Sequence, residues 1–109
     1  MMRRIAVTGA GGFIGGALAL RIDREAGFGA VRIVRDDFSR GLLPEKLAGC
    51  EAVVHLAGES RSAEPEALFR TNLALTEQVA AAVRKTPGIR RVLFGSTTHE
   101  AKESPYHAS

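Results

Sequence analysis

Tryptophan is absent from the 109 residues and aromatics make up only 6% of them, so a core must be packed from Ala, Val, Leu and Ile rather than from large rings. The single cysteine, Cys50, excludes an internal disulfide framework. With no signal peptide at the N-terminus, it leads us to expect a reducing, cytoplasmic setting. No apolar run approaches the roughly 20 residues that a membrane helix needs, so no membrane partner is expected. Lysine is scarce, three against a dozen arginines, and those arginines are scattered among twelve acids. The net charge of +3 and the pI of 9.6 therefore reflect no basic block, and nucleic acid is not expected as a partner. His55 and His99 share no ligand spacing with Cys50 or with an acid, so no metal site is expected. What is present, 45% hydrophobic and 25% charged, is the composition of one globular domain without repeats or a low-complexity linker.

Apolar periodicity divides the chain into alternating elements. Residues 4–8, RIAVT, read as a strand that ends at the cluster Gly9, Gly11, Gly12, Gly15 and Gly16. From Phe13 the spacing is helical, with Ile14, Leu18 and Ile22 as the expected inward stripe and Gly27 as the stop. A second strand is expected at Ala30–Val34, followed by a polar connection RDDFSRG, a short helical segment near Pro44–Leu47 and a third strand at 52–57, AVVHLA. Glu64 to Lys85 has Leu68, Leu75, Val79 and Val83 on one side, Pro65 near its start and Pro87-Gly88 beyond its end, which predicts a long helix. Arg91–Phe94 is the fourth strand. Strands alternating with helices predict an α/β, Rossmann-like doubly wound parallel sheet.

TGAGGFIG places Gly9, Gly12 and Gly15 three residues apart, directly after a strand and at the start of a helix. In that setting glycines let backbone N–H groups come close to a pyrophosphate, whose charge then sits at the positive end of the helix. The alternative is a turn that merely packs the helix onto the sheet. The spacing alone implies a dinucleotide and says nothing of the chemistry.

The same residues resemble the TGxxGxxG fingerprint of the short-chain dehydrogenase/reductase superfamily, in its extended branch of NAD-dependent epimerases, dehydratases and reductases. VVHLAG at Val53–Gly58 resembles that branch's HLAA segment, Asn72 falls in its following helix, and VLFGST at Val92–Thr97 is similar to its FxxSS segment. Within the branch, the chain most resembles bacterial epimerase/reductases of capsular polysaccharide synthesis, which act on UDP-linked sugars. Only nineteen residues separate Arg35 from His55, and Thr97 stands nine residues before Tyr106, both as in that subgroup. The resemblance implies that residues 1–109 are the N-terminal part of a single NAD(P)-binding Rossmann domain, truncated after the fourth strand. It also implies that Gly9, Gly12, Phe13, Ile14, Gly15, Leu56, Ala57, Gly58 and Asn72 line the cofactor. The edge of the fourth strand would then be left uncovered as a site for self-association, which keeps a homo-oligomer open.

Twenty residues after Gly15 stand Arg35 and Asp36, where the adenosine ribose is read. A guanidinium pairs with a 2'-phosphate, whereas a carboxylate accepts from a free 2'-hydroxyl and repels the phosphate. Arg35 favours NADP(H), and Asp36 leaves NAD(H) open. The resemblance makes Tyr106 the acid/base, since SPYHAS is similar to the family's NPYGESK segment, and makes Thr97, with Ser96 as the fallback, the hydroxyl that bonds the substrate. The family's YxxxK pair needs a Lys four residues after Tyr106, which is the first position beyond Ser109. These 109 residues alone are therefore expected to bind cofactor without turning over a nucleotide-sugar substrate. A noncatalytic dinucleotide sensor of the same fold is the alternative function, and Tyr106 and Thr97 favour the enzyme.

Overall fold

In a computed structural model, which describes residues 2–56 and 65–95, the chain runs β1 (Arg3–Thr8), α1 (Phe13–Arg24), β2 (Phe28–Ile33), α2 (Arg35–Ser39), α3 (Leu43–Leu47), β3 (Cys50–His55), α4 (Pro65–Arg84) and β4 (Arg91–Phe94). The strands form one sheet in the order β2-β1-β3-β4, and every pairing is parallel. The expected α/β Rossmann-like arrangement is therefore present. After β1 the chain steps to one side to make β2 and then returns to the other side of β1 for β3, so the order reverses at the carboxyl end of β1.

Register explains the two faces. Val31, Ala6, Val53 and Val92 are paired across the four strands and form one row. With Ile33 they meet Phe38, Leu43, Leu47, Val79 and Ala82 from the three later helices in a single core cluster. Burying each of the larger aliphatic side chains contributes about 1.5–3 kcal/mol. The adjacent row, Arg32, Val7, Val54 and Leu93, points to the opposite face because strand side chains alternate. There α1 packs against β1 and β2. Asp23 of α1 bonds Arg32 at 2.8 Å and accepts the Ala30 N–H at 2.8 Å. Val7 is fully buried, whereas Leu93 on the edge strand is 62% exposed.

Three expectations need correction. The second and third strands each start two residues earlier than the apolar pattern suggests, at Phe28 and Cys50, and neither extends past Ile33 or His55. The RDDFSRG stretch is not an irregular connection, because Arg35–Ser39 forms α2. Its cause is Asp37, whose carboxylate turns back to accept the Val34 N–H at 2.8 Å and holds Lys46 Nζ at 3.3 Å. A side chain that satisfies the open donor at a helix start favours the helix over extended chain. On α1, finally, the buried residues are Gly15 and Ala19, while Ile14 is 55% exposed. Small residues let the helix axis come closer to the sheet than a row of branched side chains would allow.

From Leu75 onward the long helix follows expectation, while Glu64 and the Leu68 side chain lie outside what the structure describes. Val79 and Ala82 are buried and Leu75 and Val83 pack against the same cluster. Replacing Asp37, a residue only 6% exposed, with alanine should cost about 1–3 kcal/mol, because it removes both the carboxylate that caps α2 and the ion-pair partner of Lys46. Urea denaturation measures this, and an unchanged midpoint would show that α2 is held by its apolar contacts alone.

Candidate functional site

All four strands end on the same side of the sheet, at Thr8, Ile33, His55 and Phe94, and the segments singled out from the sequence leave from those ends. Gly9 takes φ +70°, a conformation that favours glycine, and its carbonyl accepts the Gly12 N–H at 3.0 Å. The Ala10 N–H donates to the carbonyl of Ile33 at 3.2 Å, which ties the turn to the end of β2. Gly15 is the point of closest approach. A Cβ there would lie 2.7 Å from the Gly9 carbonyl carbon and nearer still to its oxygen. Only a residue without a side chain permits α1 to start against β1 in this way.

Gly12 is the N-cap of α1, and it offers no side chain to the helix end. No acidic residue stands in the first turn. The N-terminus of a 12-residue helix thus faces outward with its partial positive charge uncompensated by its own side chains, which suits an anion. Phe13, at 91% exposure, and Ile14 flank this end from the solvent side. Arg35 and Asp36, both exposed, occupy the first turn of α2. They lie beside the glycine turn, since a Cβ built on Gly11 would sit 3.7 Å from Val34 Cγ1, one residue before Arg35.

The ends of β1 and β3 are joined by a buried polar chain. The Thr8 hydroxyl, fully buried, accepts the Leu56 N–H at 2.8 Å and meets His55 Nδ1 at 2.8 Å. The other ring nitrogen, Nε2, meets the Thr76 hydroxyl of α4 at 3.2 Å. A neutral imidazole satisfies both contacts in either tautomer, one nitrogen donating and the other accepting. Burial pushes the pKa of His55 below its ordinary value, because the charged ring would lose its hydration. His55 is 4% exposed, in keeping with a packed strand histidine. Asn72 lies half-buried on α4, one turn before Thr76. Cys50 is buried and its thiol is pushed up by burial, so it has no character of a nucleophile.

The structure therefore gathers Gly9, Gly12, Phe13, Ile14, Gly15, Arg35, Asp36, Leu56 and Asn72 at the carboxyl edge of the sheet. Ala57, Gly58, Ser96, Thr97 and Tyr106 lie outside the described residues. Sequence reading missed the link from Thr8 through His55 to Thr76. Its only linear signal is a Thr at the end of one strand and a His at the end of another, and nothing in their spacing says that they touch.

A sequence profile of the NAD dependent epimerase/dehydratase family matches residues 5–107. The chain is 31% identical over 106 residues to a UDP-2-acetamido-2,6-beta-L-arabino-hexul-4-ose reductase of Pseudomonas aeruginosa, a match that takes in 97% of this chain and 28% of the reductase. Among solved structures it is similar to UDP-N-acetylglucosamine 4-epimerase from Bacillus cereus, with a TM-score of 0.73 and 28% identity over 87% of this chain and 38% of that one. It is also similar to a mutant of uronate dehydrogenase from Agrobacterium tumefaciens complexed with NAD, with a TM-score of 0.63 and 26% identity over 91% of this chain and 42% of the dehydrogenase. The chain thus spans less than half the length of each of these proteins.

The lowered pKa of His55 fixes the sign of a pH dependence. As pH falls below the ordinary value of 6.5, the unfolded chain takes up a proton that folded His55 refuses, so stability declines until the folded pKa is passed and then levels off. His55→Phe should remove that part of the slope. Thermal denaturation from about pH 8 to pH 5 tests this, and parallel curves for the two proteins would contradict it.

Proposed function

The chain belongs to the NAD dependent epimerase/dehydratase family, and from that premise we propose that it is the nicotinamide-dinucleotide-binding portion of a nucleotide-sugar epimerase, dehydratase or reductase. The observation that carries this reading is the glycine turn. Gly9 and Gly15 bring the start of α1 against β1, and Gly12 leaves the helix end open, a cradle that side chains at these positions would fill. The pyrophosphate is held there by backbone N–H groups. Arg35 and Asp36 read the ribose, and Leu56, Ala57, Gly58 and Asn72 line the rest of the cleft.

The uronate dehydrogenase mutant complexed with NAD supports a nicotinamide dinucleotide as the ligand. NADP(H) is the preferred form, because the Arg35 fork matches a 2'-phosphate, and NAD(H) is the alternative, with Asp36 as the ribose contact. The names of the reductase and of the epimerase both specify a UDP-linked acetamido sugar, which supports a UDP-sugar substrate. When bound, the nicotinamide supplies or takes up a hydride at a sugar carbon. Tyr106 gives or takes the proton of the sugar hydroxyl at that carbon, and Thr97, with Ser96 as the alternative, hydrogen-bonds the same oxygen. An unperturbed phenol titrates near 10, so Tyr106 needs a cation beside it to act near neutral pH. Because these residues span 28% of the reductase's length, they are expected by themselves to bind cofactor without turnover.

Calorimetric titration with NADPH and NADH tests the reading. Gly12→Val should abolish binding, and equal binding by that variant would remove the turn from the site. NADPH should bind more tightly than NADH by about tenfold or more, the worth of one Arg-to-phosphate pair, and Arg35→Ala should narrow the gap. Tighter binding of NADH by the wild type would assign the ribose to Asp36 instead. In the enzyme of which this chain is part, Tyr106→Phe should lose most turnover of a UDP-4-keto sugar and keep cofactor affinity.

A further inference from the structure

His55 is in contact with residues next to several parts of the candidate site. Its Nδ1 meets Thr8, the residue directly before Gly9. Its Nε2 meets Thr76, one helical turn after Asn72. Its ring packs against Phe38 of α2 with centroids 6.4 Å apart, three residues beyond Arg35. On another side it meets Phe94 at 5.7 Å, edge to face, two residues before Ser96. Four of the segments assigned to cofactor or substrate thus have a neighbour in contact with one imidazole.

We propose that His55, in its neutral form, is the positioning residue that sets the glycine turn, the first turn of α2, the Asn72 turn of α4 and the end of β4 relative to one another, so that dinucleotide affinity depends on its protonation. The proposal rests on the reading of the cleft as a dinucleotide site. Two features make the ring suitable. Both nitrogens are engaged by hydroxyls that come from different elements, so its hydrogen bonds fix a distance between β1, β3 and α4 that apolar packing alone would leave adjustable. Among the described residues, the groups that contact it also carry no charge: Thr8 from β1, Phe38 from α2, Thr76 from α4 and Phe94 from β4. The neighbouring carboxylate on α2, Asp37, is turned to the Val34 N–H and Lys46, and Glu77, beside Thr76 on α4, is exposed. A proton added to the ring would have no counter-charge among the described residues packed on it. It would also oblige both hydroxyls to accept from the ring, although the Thr8 oxygen already accepts from the Leu56 N–H.

The test is titration of NADPH and NADH into wild type, His55→Phe, Thr76→Val and Thr76→Ser, from about pH 8 to pH 5, with circular dichroism to confirm the fold and ring NMR to follow His55. Wild-type affinity should be constant at the upper end and fall about fivefold or more in step with protonation of the ring. His55→Phe should bind about tenfold more weakly at the upper end and show no such step. Thr76→Ser should behave as wild type and Thr76→Val should bind more weakly, a comparison that stands even if His55→Phe fails to fold. A merely structural histidine would change the denaturation midpoint and leave the pH profile of affinity unmoved. Wild-type affinity that stays flat while the ring titrates, or His55→Phe binding as wild type, overturns the proposal alone. No binding by wild type at any pH overturns the dinucleotide reading and this proposal with it.

Discussion

How near the first turn of α1 can come to the end of β1 governs the rest of the molecule. That separation is set by Gly15 against the Gly9 carbonyl, where there is no room for even one carbon. With the helix so close, Ala19 one turn later is also buried, and α1 lies flat over β1 and β2 with Val7 sealed beneath. The helix end then stands directly over the point where the strand order reverses. A branched residue at Gly15 would have to push the helix outward, opening the packing and displacing the glycine turn of the candidate site together. Packing and the proposed binding thus make the same demand at one position.

Across the sheet the demand is different. The face made by Val31, Ala6, Val53 and Val92 is closed by three helices around an apolar cluster. It supplies the stability that allows the carboxyl edge to hold open glycines, an uncapped helix end and the exposed Arg35 and Asp36. The polar link toward this interior, from Thr8 through His55 to Thr76, has its hydrogen bonds made, as a buried polar group must. It lies under the candidate site and not at the opposite edge of the sheet, where the exposed Arg3–Glu51 pair at 2.6 Å joins the starts of β1 and β3 in reach of water and contributes little.

The order of the elements, their parallel sense and the place of the glycine turn were legible in the linear sequence, because each depends on local chemistry. Apolar alternation in RIAVT, the Pro65 and Pro87-Gly88 bounds of α4 and the three-residue glycine spacing act within one element and its immediate flanks. The inward face of α1 was read only in part for the same reason. Periodicity counts hydrophobic side chains and so included the exposed Ile14 beside the half-buried Leu18 and Ile22, and it passed over Gly15 and Ala19, the small residues of that face that come closest to the sheet. α2 escaped notice because its stability comes from one carboxylate that folds back on Val34 and reaches Lys46 on α3, a contact that no window of polar residues reveals.

By itself, then, the sequence determined an α/β chain with a glycine turn after its first strand, and it singled out Arg35, Asp36 and Asn72 as candidates to accompany that turn. Only the tertiary structure decided that these residues share one edge, and that a histidine beneath them touches Thr8, Phe38, Thr76 and Phe94 at once. The reason is physical. Parallel strands cannot pair through a short turn, so every contact across this sheet joins residues far apart in the chain, and their meeting is fixed by register and helix packing rather than by neighbours in sequence.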